Sequence, residues 1–312
     1  MLNIVFLDQY SINDADLSAI KQLGNYIGYE FTSTEQIIPR AADADILIVN
    51  KVRISADIIA QLPRLKLICE AATGVDNIDV NAAAIAGIPV KNAKGYSTHS
   101  VAEATLGGAI ALLRETTYYD SFVKSGSYSA SNRLFNYDRP TRQLFGRNWG
   151  IIGLGTIGHT VANLAETFGC SVAYHSVSGV ARPEKYPHLP LNDLLQWADV
   201  ISLHTPLNDR SRGLIGRTQF NLMKPSAILV NVSRGGVVDE SALADAINNR
   251  QIAGACVDVF SSEPLPANNP LLNVNDPAAL LLSPHNAWSA RESIDNLVAS
   301  IAQNISDFMR TL

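Results

Sequence analysis

The chain has 312 residues, long for one compact domain and suited to two. Apolar residues make up 47% of it, enough for packed cores and too many for a disordered chain. A net charge of −5, with no basic stripe or run of Lys and Arg, argues against nucleic acid or an anionic membrane as a partner.

Residues 3–7 are a short apolar run without the basic flank of a signal peptide, so they read as a buried strand. Nothing approaches the ~18 apolar residues of a membrane span, and the expected location is the cytoplasm. Cys69, Cys170 and Cys256 are widely spaced and lack metal-ligand spacing. They read as reduced core residues, and no metal is expected. Further apolar runs stand at 46–49 and 67–70, then at 149–152, 171–174, 200–203, 228–231, 255–259 and 280–282. Continuous apolar strands alternating with helical patterns mean parallel sheets buried on both faces, so the fold class is α/β with two doubly wound domains.

Residues 100–114 are small, apolar and helical, and 118–148 are aromatic with little periodicity. The last helix, 291–309, carries Ile294, Leu297, Val298, Ile301, Ile305 and Phe308 on one face. One helix makes no domain, so it is expected to return to the first sheet. Residues 1–98 plus 285–312 then form a flavodoxin-like substrate domain, with a cofactor domain, 99–284, inserted into it.

Gly153-Leu-Gly155-Thr-Ile-Gly158 follows the strand 149–152 and opens a helix through Val161, Leu164, Ala165 and Phe168. The glycines suit a tight turn, close approach to a pyrophosphate and close helix–strand packing, with phosphates at a helix N-terminus beside Thr156 and Ile157. This is the context of a Rossmann dinucleotide site. The acid that usually ends the second strand is missing: His175, Ser176, Val177 and Ser178 stand there. The expected cofactor is NAD or NADP, NAD ahead but weakly discriminated, with Arg182 a few residues on.

Three segments lie just past strand ends of the second sheet, where open α/β sheets bind ligands. They are Val232-Ser233-Arg234, Asp258 to Glu263-Pro264, and Pro284-His285. Together with Ala72-Thr73-Gly74-Val75-Asp76-Asn77, Ser100-Val101-Ala102-Glu103 and His204-Thr205-Pro206-Leu207, they give the chain its resemblance to the D-isomer-specific 2-hydroxyacid dehydrogenases. Within that family it most resembles the glycerate dehydrogenase and hydroxypyruvate reductase group. The resemblance implies hydride transfer between NAD(P)H and a small 2-oxo acid, with hydroxypyruvate or glyoxylate going to D-glycerate or glycolate.

The resemblance also implies roles. His285 is the proton donor and acceptor, Glu263 its partner and Arg234 the substrate-orienting cation. An imidazole titrates near ~6.5 and serves both directions. Arginine's planar fork matches a carboxylate with its neighbouring carbonyl oxygen. Thr73, Gly74 and Val75 are expected to hold the substrate carboxylate, with Lys51 a substrate-side cation. His175, Ser176, His204, Thr205, Pro206, Val232, Ser233 and Asp258 are expected around the cofactor. The helix 100–114 and the aromatic stretch after it are hard to bury in one Rossmann domain, and a C2 homodimer through residues 100–148 is expected. The rival from another class is a dinucleotide-sensing binding protein of the corepressor type.

Overall fold

The computed structural model describes residues 1–180 and 183–312. They form two compact units, Met1–Ser97 with Ser289–Leu312, and Thr98–Trp288. No helix among the described residues is long and apolar enough to cross a membrane.

The first unit is a five-stranded parallel sheet: β1 (Asn3–Phe6), β2 (Asn25–Gly28), β3 (Ile46–Val49), β4 (Leu67–Glu70) and β5 (Val90–Asn92). Its order, β2-β1-β3-β4-β5, is that of flavodoxin. Val5, Leu7, Leu47, Val49 and Ile68 share one packed face. Arg291–Met309 lies against β4 and β5, burying Leu297, Val298, Ile301 and Ile305, and Asn304 Nδ2 donates to Asn92 O at 3.2 Å. The sequence pattern did not predict β2 and β5. Both are sheet edges, largely open to solvent, and neither needs a continuous apolar run.

The second unit carries β6 (Asn148–Ile152), β7 (Ser171–His175), β8 (Val200–Leu203), β9 (Ile228–Asn231), β10 (Gly254–Val257) and β11 (Leu280–Leu282), all parallel, in the order β11-β10-β9-β8-β6-β7. A single parallel bridge, Tyr174 to His188, stands where a third Rossmann strand would flank β7. Alternate residues feed two cores. Trp149, Ile151, Val172 and Val200 pack under the helices Thr98–Leu113 and Thr156–Thr167, while Ile152, Ala173, Ile201 and Leu229 pack on the other face.

Two expectations are corrected here. The helix Thr98–Leu113 is buried within its own unit, because small residues let it approach the sheet: a Cβ on Gly108 would sit 2.6 Å from Cys256 Sγ. The exposed apolar side chains come later, Leu134, Phe135, Tyr137 and Phe145, after the unexpected helix Thr116–Lys124. The return crossing falls after Trp288, not after residue 284. Asn286 and Ala287 donate their N–H groups to the buried Asp258 carboxylate, so that stretch belongs with β10.

Glu70 ends β4 with no exposed surface. Its Oε2 accepts from Asn77 Nδ2 at 2.9 Å, while Oε1 has no partner among the described residues. Burial pushes this carboxyl up to about 9, with the nearby Asp8 and Asp76 adding to the rise and Asn77 and Lys51 opposing it. The folded chain therefore keeps a proton that the unfolded chain releases above its ordinary value of 4.5. Stability falls as pH rises through that window, by up to about 1.4 kcal/mol per pH unit. Glu70→Gln should raise Tm at pH 8.5 and do little at pH 5, read by thermal unfolding at both. An equal effect at the two pH values would refute a protonated Glu70.

Candidate active site

The turn after β6 is built for a ligand. Gly153 has φ +95°, and a Cβ there would stand 2.7 Å from His204 O. A Cβ on Gly158 would overlap the Gly153 carbonyl, so only glycine lets the helix seat so closely. Gly155 differs: a Cβ on it would meet nothing within 4 Å. It borders open space at the N-terminus of Thr156–Thr167, whose first-turn N–H groups lack intrahelical acceptors.

Gly153, Leu154 and Gly155 form one wall of a cavity of about 600 Å³. His204, Thr205 and Pro206 form a second, with Asn208, Asp209 and Arg210 beyond them. Ser176, Val177, Ser178, Val180 and Glu184 close the third side. Burial pushes the His204 imidazole down to about 3, so it stays neutral. Its Nε2 lies 3.0 Å from Ser202 Oγ, which accepts from the Trp149 indole at 2.9 Å. Its Nδ1 is sealed from solvent without a partner among the described residues. An open cradle, a helix N-terminus and an orphaned ring nitrogen suit a dinucleotide, whose phosphates Thr156 and Ile157 at the helix start would meet.

Some expected cofactor residues stand elsewhere. His175 does not line the cavity: its Nδ1 meets Leu189 O at 3.1 Å and its ring stacks on His188 at 5.9 Å. Burial also holds it below the usual histidine range. Ser233 donates its hydroxyl to Asn231 Oδ1 at 2.9 Å, and Val232 packs on the core. Arg182 lies outside the described residues. Conversely, the pattern missed Glu184, Asp209 and Arg210. An acid does reach the pocket, but Glu184 comes from well beyond β7 and pairs with His159 at 2.9 Å.

The second cluster lies at the ends of β9, β10 and β11. His285 Nδ1 meets Glu263 Oε2 at 2.7 Å, and Glu263 Oε1 accepts from Phe260 N at 2.9 Å. The carboxylate is thereby fixed by backbone before it fixes the ring. With Nδ1 facing a carboxylate, Nε2 is the nitrogen left for chemistry. His285 has φ +53°, a left-handed conformation costly for a non-glycine residue. Asp258 holds it there. The carboxylate is buried and accepts from Ser283 Oγ at 2.6 Å, Asn286 N at 2.9 Å and Ala287 N at 3.0 Å, while Asp258 O accepts from His285 N at 2.7 Å. Burial raises its pKa nonetheless. Asp258 was expected at the cofactor; its visible employment is anchoring the His285 loop.

Arg234 follows Asn231, whose amide donates to Arg234 O at 3.1 Å and accepts from Ser233 N. A side chain on Gly235 would overlap the Phe260 carbonyl, so the arginine loop lies directly on the backbone that holds Glu263. Arg234, Glu263 and His285 thus belong to one packed set of strand ends.

The first unit holds the loop 71–77. Thr73 Oγ1 donates to Ala93 O at 3.0 Å, which turns its hydroxyl onto the neighbouring strand end. The Gly74 and Val75 N–H groups donate to no acceptor among the described residues. Asn77 ties the loop to Val52 O and to Glu70, while Asp8 accepts from the N–H groups of Asn50, Lys51 and Val52.

Residues 106–287 match the family described as D-isomer specific 2-hydroxyacid dehydrogenase, NAD binding domain. A glycerate dehydrogenase of Methylorubrum extorquens is 38% identical over 98% of this chain and 96% of its own. A hydroxypyruvate reductase of Blautia hydrogenotrophica is 33% identical over 99% and 97%. The crystal structure of a D-lactate dehydrogenase from Aquifex aeolicus with NAD and lactic acid superposes with a TM-score of 0.86 at 25% identity, covering 99% of this chain and 96% of that one.

 The two relatives named here carry enzyme names, which does not favour the binding-protein reading. With a dinucleotide cradle on β6 and an Arg, Glu and His set on β9 to β11, this chain belongs to the D-isomer specific 2-hydroxyacid dehydrogenases, and its cofactor is a nicotinamide dinucleotide.

Proposed function

We propose that the enzyme interconverts hydroxypyruvate and D-glycerate, and glyoxylate and glycolate, with Arg234, Glu263 and His285 as its catalytic set. The observation that carries the reading is the 2.7 Å pair between His285 Nδ1 and Glu263 Oε2. The names of the relatives support the substrate class. The bound dinucleotide supplies a hydride to C2 of the 2-oxo acid, or takes one back. Negative charge then grows on the C2 oxygen, and His285 Nε2 delivers the proton to it; in oxidation the same nitrogen removes that proton. Glu263 holds the ring in one orientation through its bond to Nδ1. Arg234 holds the carboxylate and the C2 oxygen in the plane of its guanidinium.

The direct test is turnover of a panel of 2-oxo acids, followed by loss of NADH absorbance. Hydroxypyruvate and glyoxylate should be the best substrates, and preference for pyruvate or phenylpyruvate would refute the assignment. Three free cysteines support a reducing, cytoplasmic setting. Leu134, Phe135, Tyr137 and Phe145 are mostly exposed and support a homodimer through this stretch. Phe135→Ser with Tyr137→Ser should sediment as a monomer, and a parent enzyme that is itself monomeric would end that reading.

His285→Ala should lose ~10²–10⁴-fold in kcat. Arg234→Lys should raise KM and lower kcat together, since charge stays and orientation goes. Glu263→Gln should lower kcat for reduction more than it changes KM, read by steady-state kinetics, because the ring loses the carboxylate that orients it. An unchanged kcat would refute the partnership. Asp258→Asn puts an amide NH₂ against donors; it should cost about 1–3 kcal/mol of stability and up to about 100-fold in kcat. A lowered Tm with unchanged kcat would show that Asp258 does not position His285.

A further inference from the structure

The dinucleotide cavity contains a cation with no assigned purpose. Arg210 follows β8, and its Nη1 donates to Ser178 O at 2.8 Å in the loop after β7. Its guanidinium therefore crosses from one wall of the cavity to the other. The Arg210 N–H is itself held by Asn208 Oδ1 at 2.9 Å, and Asn208 N donates to Ser211 Oγ at 2.8 Å, so the turn that launches the side chain is fixed. On the opposite wall, Ser176 Oγ and Ser178 Oγ lie 3.0 Å apart.

The end of the second Rossmann strand is where the adenosine ribose hydroxyls are read. Here that place holds two hydroxyls and the end of a guanidinium, while His175 is turned away onto Leu189 O. A guanidinium has five N–H donors, and the Ser178 carbonyl uses one geometry of the fork. Two carboxylates also line the cavity. Glu184 is met by His159 at 2.9 Å, and Asp209 is the chain neighbour of Arg210. Neither leaves the serine side of the pocket without its cation.

We propose that Arg210, with the hydroxyls of Ser176 and Ser178, forms a site for the 2′-phosphate of a dinucleotide, so that the enzyme accepts NADP(H). The inference rests on reading the cavity as the adenosine half of the cofactor site, and the test separates the two. Calorimetric titration of the full chain uses 5′-AMP and adenosine 2′,5′-bisphosphate, with no turnover involved. Binding of 5′-AMP reports the cavity reading, and the bisphosphate reports Arg210.

The parent should bind the bisphosphate at least as tightly as 5′-AMP. Arg210→Ala should weaken the bisphosphate about 10- to 100-fold while 5′-AMP changes little, the usual worth of a hydrogen bond to a charged group. Arg210→Lys should fall between, because the charge remains without the fork. Arg210 is exposed, and unchanged melting of both variants would exclude misfolding as the cause. A parent that binds 5′-AMP but rejects the bisphosphate would overturn the proposal. So would equal loss of both ligands in Arg210→Ala, since that places the side chain on the adenine or the loop. Binding of neither ligand by the parent would overturn the cavity reading itself.

Discussion

A buried carboxylate at the end of β10 sets the position of the His285 imidazole. Asp258 receives a hydroxyl and two backbone N–H groups from the segment 283–287, and its own carbonyl receives the His285 N–H. Burying a charge is costly unless donors surround it, and here the donors are the loop that must be shaped. These bonds hold His285 in its left-handed backbone conformation. Glu263 then needs only to meet a ring already aimed at it.

The cofactor side works by removal of matter instead. Gly153 and Gly158 let strand, loop and helix close on one another, and Gly155 leaves the space beyond them open. The polar character of that space comes from two loops, after β7 and after β8, that flank the glycine turn because β7 and β8 both pair with β6. These two strand pairings thus determine which distant residues line the cavity.

This explains what could be read from the sequence. Strands buried on both faces announced themselves as apolar runs, and the glycine turn carried its own spacing. Arg234, Glu263 and His285 were legible as a set through resemblance, not through spacing, since they are far apart in the chain. The edges β2 and β5 were not legible, because half-solvated strands have no run to show. Glu184 and Arg210 reach the cavity only through the meeting of the two loops, which no local pattern encodes. His175 was misplaced for a related reason: a residue just past a strand can turn to either side, and the bond to Leu189 decided it.

The split first unit has a consequence in time. Its sheet is complete by residue 92, yet the helix Arg291–Met309 that covers β4 and β5 is made only after the inserted unit. Between them the ribosome must produce the whole of Thr98–Trp288, which at common synthesis rates takes about 10–40 s. During that interval the apolar ground under Leu297, Val298 and Ile301 lies bare on a nascent chain. The inserted unit, whose strands and helices emerge consecutively, meets no such delay. Newborn molecules therefore pass through a stage with one finished half and one half still lacking the helix that covers its sheet.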